Sequence, residues 1–187
     1  MVKYISEKML ITHCSPTLAG IKTGSLFSCA YENYSQIIEC ISRFNRRLTI
    51  KGIRVLPLRF KSGRVLVYVY RPDFLKRDLC DDLANKMLDN LGYNSKSPDL
   101  CICQLIKRLG YLEEFPHEIG LFLGYPPVDV CGFIENKAEY FKCVGCWKVY
   151  GDEQSALKTF EKYKRCTDIY NKLWQNGKSI EQLTAVV

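Results

Sequence analysis

Apolar residues recur along the chain at two spacings, one typical of helices and one typical of strands. Between Ser35 and Leu48 they recur at helical spacing, which predicts a helix. Two apolar runs, Arg54–Phe60 and Arg64–Tyr70, are joined by Lys61-Ser62-Gly63, which predicts a β-hairpin. The second run is apolar on both faces, so we expect a central strand. Pro57 cannot donate a ladder hydrogen bond, so the first run is expected at a sheet edge.

The remaining patterns predict more helices and two more extended segments. Capping residues and helical spacing predict helices over residues 74–90, 98–109, 117–123, 128–134 and 153–175. We expect Thr17–Cys29 to be extended, with a strand over Thr17–Lys22, and Ala138–Tyr150 to be a strand. The predicted fold class is α+β, with a mostly antiparallel sheet of four to five strands packed against five to six helices as a two-layer sandwich. We expect residues 1–187 to form a single domain.

Composition and charge narrow the classes of protein to consider. Of the 187 residues, 47% are hydrophobic and 25% charged, which is typical of a soluble globular protein. The N-terminal stretch MVKYISEKML lacks the apolar core of a signal peptide, and no apolar run is long enough for a membrane span, so we expect a cytoplasmic protein. The net charge is +7, with its densest local source between Arg43 and Arg54. Without a nucleic-acid-binding motif, this charge favours an acidic protein partner over nucleic acid.

Ten cysteines are an unusually high number for a chain of this length. A disulfide framework is disfavoured, because the chain is long enough to build its own core and no secretion signal is evident. Metal or redox chemistry is a second interpretation. The third is that the cysteines serve as small hydrophobic residues, which suits Cys40, Cys80 and Cys166 because each lies within a helical pattern.

One set of residues could form a metal site. Cys143 and Cys146 are spaced as a CxxC pair, and their thiols converge only if Val144-Gly145 makes a turn, because residues three apart on a regular strand face opposite ways. A tetrahedral site needs about four ligands, and the chain has no second CxxC. The two histidines, His13 and His117, could complete a mixed site for iron or zinc.

A second set of residues could act on a small anionic substrate. His117 is expected in the first turn of a helix, where the helix dipole favours its neutral form, and Glu118 lies beside it. Lys22 and Lys148 could bind the anion. The pair His117-Glu118 is not part of an HExxH zinc-protease motif, because position 121 is leucine. Phosphate-loop, dinucleotide-binding and nucleophile-elbow motifs are also absent from the sequence.

Three segments carry a resemblance to a known family; they read HCSPTLAGIKTGSLF, FPHEIGLFLGYPPVDVCGFIEN and GCWKVYGDEQSALKTFEKYKRC. They resemble a family of bacterial proteins classified as a domain of unknown function and found mainly in anaerobic Gram-positive bacteria. The resemblance extends from about His13 to Leu183. Relatives encoded near flavodoxins and ferrous-iron transport genes imply a role beside an acidic electron carrier. The family has no assigned activity, so the resemblance transfers no catalytic role.

Three functional hypotheses follow from these observations. The first is an accessory factor in iron or thiol-redox metabolism, with Cys143, Cys146, His13 and His117 as metal ligands and a flavodoxin-like carrier as partner. The second is a protein-binding or regulatory module without chemistry, docking through the Gly-Tyr-Pro-Pro corner and the basic helix end. The third is an enzyme that acts on a small anionic substrate through His117, Glu118, Lys22 and Lys148.

Overall fold

The computed structural model describes residues 4–95, 97–111 and 114–187, which form an α+β protein. These residues form eight α-helices, five β-strands and a single 3-10 turn, Thr49–Lys51. In chain order the elements are α1 (Glu7–Leu18), β1 (Gly24–Ala30), α2 (Tyr34–Leu48), β2 (Arg54–Lys61), β3 (Arg64–Tyr70), α3 (Pro72–Leu79), α4 (Asp82–Asn90), α5 (Pro98–Tyr111), α6 (Ile119–Phe122), α7 (Pro127–Glu135), β4 (Cys143–Val144), β5 (Lys148–Val149) and α8 (Glu153–Gln175).

The chain divides into two compact units. The first unit comprises the chain up to Asp73 together with Arg165–Val187, and the second comprises Phe74–Lys164. The single domain expected from the sequence therefore stays a prediction, and each unit is described by itself.

The first unit contains a three-stranded antiparallel sheet. Its strand order is β1-β3-β2, so the predicted hairpin and the central position of the second arm are both confirmed. Pro57 lies on the edge strand β2, as expected for a residue without a backbone N–H, and the register shifts between Pro57 and Arg59. Side chains on both faces of the central strand are buried, among them Val67 and Val69 on one face and Tyr68 and Tyr70 on the other.

Helices α1 and α2 pack against one face of this sheet. In β3 that face carries Val65, Val67 and Val69, which alternate along the strand because successive side chains point to opposite faces. The helices contribute buried apolar residues at helical spacing, namely Leu10, Ile11, Cys14 and Leu18 from α1 and Ile37, Cys40, Ile41, Phe44 and Leu48 from α2. The first unit is therefore a layer of helices on a sheet.

The prediction of a strand over Thr17–Lys22 is wrong. Thr17 and Leu18 end α1, which is capped by Ser6 and covers Glu7–Leu18, and residues 19–22 form a turn and a bend before β1. Pro16 and Gly20 are turn residues that break up short apolar runs in the sequence. Instead Pro16 lies within the last turn of the helix, and Gly20 follows the helix with a left-handed φ of 72°.

The prediction of one continuous sheet of four to five strands is also wrong. Ala138–Tyr150 is not one strand: it contains the two-residue strands β4 and β5, which pair antiparallel with each other as a separate hairpin. Lys137, Ala138 and Tyr140 have left-handed φ values of 49°, 65° and 57°, which no extended strand allows. The helix predicted over residues 74–90 is two helices, because Asp81 caps a new one by accepting from the N–H groups of residues 83 and 84.

Candidate functional site

The second unit contains a cavity of about 180 Å³. Helices α6 and α7, the turn between them and the β4–β5 hairpin form its walls. The lining residues are mostly apolar or aromatic: His117, Ile119, Gly120, Tyr125, Asp129, Val130, Phe133, Trp147 and Lys148.

The buried carboxylate of Asp129 fixes the hairpin against α7. Asp129 lies in the first turn of α7 and is 3% exposed. Its Oδ1 accepts hydrogen bonds from the backbone N–H groups of Tyr150 (2.8 Å) and Gly151 (2.7 Å). Its Oδ2 accepts a hydrogen bond from the indole Nε1 of Trp147 at 2.7 Å. Hydrogen bonds to a charged acceptor are stronger than neutral ones, so one carboxylate positions both the strand end and the indole ring.

Two stacked aromatic rings form one wall of the cavity. The rings of Tyr125 and Trp147 lie 4.8 Å apart with an interplanar angle of 30°. The edge of the Trp147 ring also meets Phe160 of α8, with the ring centroids 4.5 Å apart. Burial raises the pKa of the Tyr125 hydroxyl, and the nearby Cys146 and Tyr163 raise it further. Tyr125 therefore stays neutral at physiological pH and serves as an aromatic wall.

Lys148 is a basic residue of the cavity lining. Its Nζ donates a hydrogen bond to the carbonyl oxygen of Ala138 at 2.8 Å and lies 4.6 Å from the centre of the Phe141 ring and 5.9 Å from that of Phe133. His117 lines the same cavity, with its ring packed edge-on against Phe133 at a centroid distance of 4.9 Å. Two of the four candidate catalytic residues, His117 and Lys148, are thus brought together.

Glu118 has a structural environment instead. It is 3% exposed, and its Oε1 accepts hydrogen bonds from Arg108 Nε at 2.6 Å and from the Tyr93 hydroxyl at 2.9 Å. Burial raises the pKa of Tyr93, and the negative charge of Glu118 raises it further, so the phenol donates as a neutral group. Glu118 joins α5 to the start of α6 and does not line the cavity.

Two further candidates belong to the first unit. His13 lies in α1, where its ring stacks on Phe27 of β1 with centroids 5.5 Å apart and planes inclined by 13°. Lys22 lies between α1 and β1. The ring contact of His13 is therefore a packing contact within the first unit.

Cys143 and Cys146 lie at different places in the β4–β5 hairpin. Cys143 is in β4 opposite Val149, and Cys146 is exposed in the turn, which is closed by a hydrogen bond from the Gly145 N–H to the Trp147 carbonyl at 3.0 Å. Partial burial raises the pKa of the Cys143 thiol, and the carboxylates of Glu153 and Asp129 raise it further. Within the described ranges, no three or more His, Cys, Asp or Glu side chains form a group able to hold a metal ion. The predicted metal site therefore stays a prediction, without support from a cluster of ligands among these residues.

The fold and the cavity define the class of this molecule, an α+β protein with a small and mostly apolar cavity in its second unit. Residues 10–184 match the family described as "Protein of unknown function (DUF3793)", and the chain belongs to that family. The resemblance to an uncharacterised family is therefore confirmed. No curated protein and no solved structure matches the chain. Among the described residues, no helix is both long enough and apolar enough to cross a membrane.

Sequence reasoning missed Asp129, which does most to shape the cavity. The only signal was an acid in the first turn of a helix that begins at Pro127, and the helix dipole explains such an acid without any further role. The contacts of Asp129 come from residues 18 to 22 positions further along the chain, so helix periodicity does not reveal them.

Proposed function

We propose that this protein binds a small organic molecule in the cavity of the second unit. The observation that carries the proposal is the lining itself, in which aromatic and aliphatic side chains surround a few polar groups. Small-molecule sites are typically concave, mostly apolar and equipped with a few polar groups that orient the ligand. Lys148 and His117 are the polar groups of this lining whose hydrogen-bonding capacity is least used within the described part of the chain.

The size of the cavity supports a ligand with one ring. An apolar cavity of about 150 Å³ in another protein accommodates benzene. A cavity of about 180 Å³ therefore suits a single ring with one small substituent. Sites for drug-sized ligands usually have volumes of about 300–1,000 Å³, so a dinucleotide is too large for this cavity as it stands.

The rigidity of the walls supports binding as well. Asp129 accepts a hydrogen bond from the indole of Trp147, and the ring of Tyr125 stacks on the same indole. A site that is already ordered does not lose further side-chain entropy when a ligand arrives, which favours affinity.

The other functional hypotheses have less support. For a role in iron or thiol-redox metabolism, the part of the chain that the structure describes holds no cluster of metal ligands, and the pKa of the Cys143 thiol is raised and not lowered. For catalysis on an anionic substrate, His117 and Lys148 remain candidates. Glu118 does not, because it forms a buried ion pair with Arg108. An acidic, flavodoxin-like partner and a cytoplasmic location stay predictions. Elemental analysis of protein purified without a metal-binding tag tests the iron or zinc hypothesis.

The binding proposal can be tested through the two tryptophans, because Trp147 lines the cavity and Trp174 belongs to the first unit. Benzamide, benzyl alcohol, indole and benzoate would be titrated to millimolar concentration while the two indole N–H signals are followed by NMR; Trp147→Phe assigns them. At least one probe is expected to shift the Trp147 signal saturably and leave the Trp174 signal in place. If no probe moves the Trp147 signal, or both signals shift equally without saturation, the cavity is not a binding site.

A further inference from the structure

We propose that the ligand is an aromatic carboxylate whose carboxylate group is bound by Lys148. The inference rests on the proposed function, since it names the chemical class that the cavity accepts. The ring would lie among Tyr125, Trp147 and Phe133, and the negative charge would lie at the ammonium group.

The ammonium group of Lys148 has capacity for an anion. An ammonium has three N–H donors, and the contacts of Lys148 are one carbonyl oxygen and the faces of two aromatic rings. Among the described residues, Lys148 has no carboxylate within salt-bridge distance. The charge is partly buried and lies beside rings, where the attraction of an added anion is screened less than at an open surface.

The charge of Asp129 does not reverse this preference. Its two oxygens already accept three N–H hydrogen bonds, from the Tyr150 and Gly151 backbones and from the Trp147 indole. These donors stabilise the negative charge where it lies. A ligand cation that donates hydrogen bonds would therefore find few free lone pairs on Asp129.

A cationic ligand is the main alternative, because aromatic walls can bind ammonium groups by cation–π interactions. Lys148 itself lies over the ring of Phe133, which lines the cavity, and over that of Phe141, which is not part of the lining. A second cation would meet the like charge of Lys148, which still has N–H donors to offer to an anion. An anion would meet the like charge of Asp129, but that carboxylate already accepts three hydrogen bonds. The comparison favours an anion.

Benzoate and benzamide test the inference, because they have the same shape and differ in charge. Wild-type protein is expected to bind benzoate at least about tenfold more tightly than benzamide, as expected for a hydrogen bond between charged groups. Lys148→Met keeps the apolar stem and should abolish this preference, chiefly by weakening the binding of benzoate. Lys107→Met, on an exposed lysine of α5, is the matched control and should keep the preference. Titration by the Trp147 indole signal measures all the affinities.

The outcomes separate the two proposals. If benzamide binds the wild-type protein as tightly as benzoate, the cavity accepts rings but the assignment of an anion is wrong. If Lys148→Met folds and still prefers benzoate tenfold, another group binds the charge and the assignment to Lys148 is wrong. If neither probe binds the wild-type protein while benzyl alcohol or indole does, the ligand is neutral and the inference fails. If no probe binds at all, the proposed function itself fails. The comparison in the wild-type protein stays decisive even if the variant does not fold.

Discussion

Replacing Asp129 with alanine is the sharpest test of how the cavity is held together. The carboxylate is 3% exposed and accepts three hydrogen bonds, two from backbone N–H groups and one from the indole of Trp147. Asp129→Ala leaves all three donors without their acceptor. A buried donor left unsatisfied costs about 1–3 kcal/mol, and water can reach some of these positions, so we expect a total loss of about 3–5 kcal/mol in the free energy of unfolding.

Asp129→Asn is the matched control, because it keeps an oxygen in the place of Oδ1 for the Tyr150 and Gly151 N–H groups. Its amide nitrogen then faces the Trp147 indole N–H, so only one of the three hydrogen bonds is lost. The expected cost is about 1–3 kcal/mol, which is less than the cost of the alanine variant.

Urea unfolding followed by tryptophan emission measures both variants. A Trp174→Phe background leaves Trp147 as the only tryptophan, so the emission reports on the second unit. The midpoints should fall in the order wild type, Asp129→Asn, Asp129→Ala, with comparable slopes. If Asp129→Ala unfolds within about 0.5 kcal/mol of the wild type, the three hydrogen bonds do not hold the hairpin to α7. Equal losses in the two variants would show that the charge matters and the hydrogen-bond geometry does not.

Two further predictions concern packing and pH. Gly132→Ala in α7 should destabilise the protein by about 1–3 kcal/mol, because the added Cβ would lie 2.4 Å from Cγ of Tyr150. The control is Gly110→Ala in α5, where the added Cβ would have no atom within 4 Å, so the change should be neutral or stabilising by up to about 1 kcal/mol. Equal thermal midpoints for the two variants would contradict the close packing of Gly132 against Tyr150. Hydrogen bonding from Arg47 lowers the pKa of Glu181 from 4.5 to about 2. A lowered folded-state pKa stabilises the protein above pH 4.5, so Glu181→Gln should lower the free energy of unfolding there, by less than about 1 kcal/mol at this partly exposed pair. The difference from the wild type should vanish as the pH falls towards 2. A difference that stays constant down to pH 2 would refute the pairing.

The hairpin of the first unit was predictable because its signals are local. The turn at Lys61-Ser62-Gly63 predicts that β2 pairs with β3, and the apolar residues on both faces of β3 predict a central position for it. The sheet order β1-β3-β2 agrees with both predictions. The strand over Thr17–Lys22 failed for the opposite reason. Pro16 and Gly20 favoured a break in the chain, although proline can lie in the last turn of a helix when the backbone groups find other partners.

The site was predictable only in part. His117 and Lys148 were selected for their chemistry and do line one cavity, although they are 31 positions apart in the sequence. The hairpin geometry that brings Lys148 there depends on left-handed backbone at Lys137, Ala138 and Tyr140. None of these is glycine, and left-handed φ is uncommon for other residues, so no local signal marks the bend.

Packing accounts for four of the ten cysteines, whereas Cys80, for which the sequence favoured a packing role, is exposed. Cys14, Cys29, Cys40 and Cys101 are buried, and burial raises the pKa of Cys14 to about 12 and that of Cys101 to about 11. Thiols with such a pKa stay protonated at physiological pH, and a protonated thiol is a poor nucleophile and a poor metal ligand. Cys14 and Cys101 therefore act as small hydrophobic residues, and Cys29 and Cys40 are buried in the apolar core of the first unit. The chemistry that is left for binding lies in the cavity, where a lysine without a carboxylate partner among the described residues meets a wall of aromatic rings.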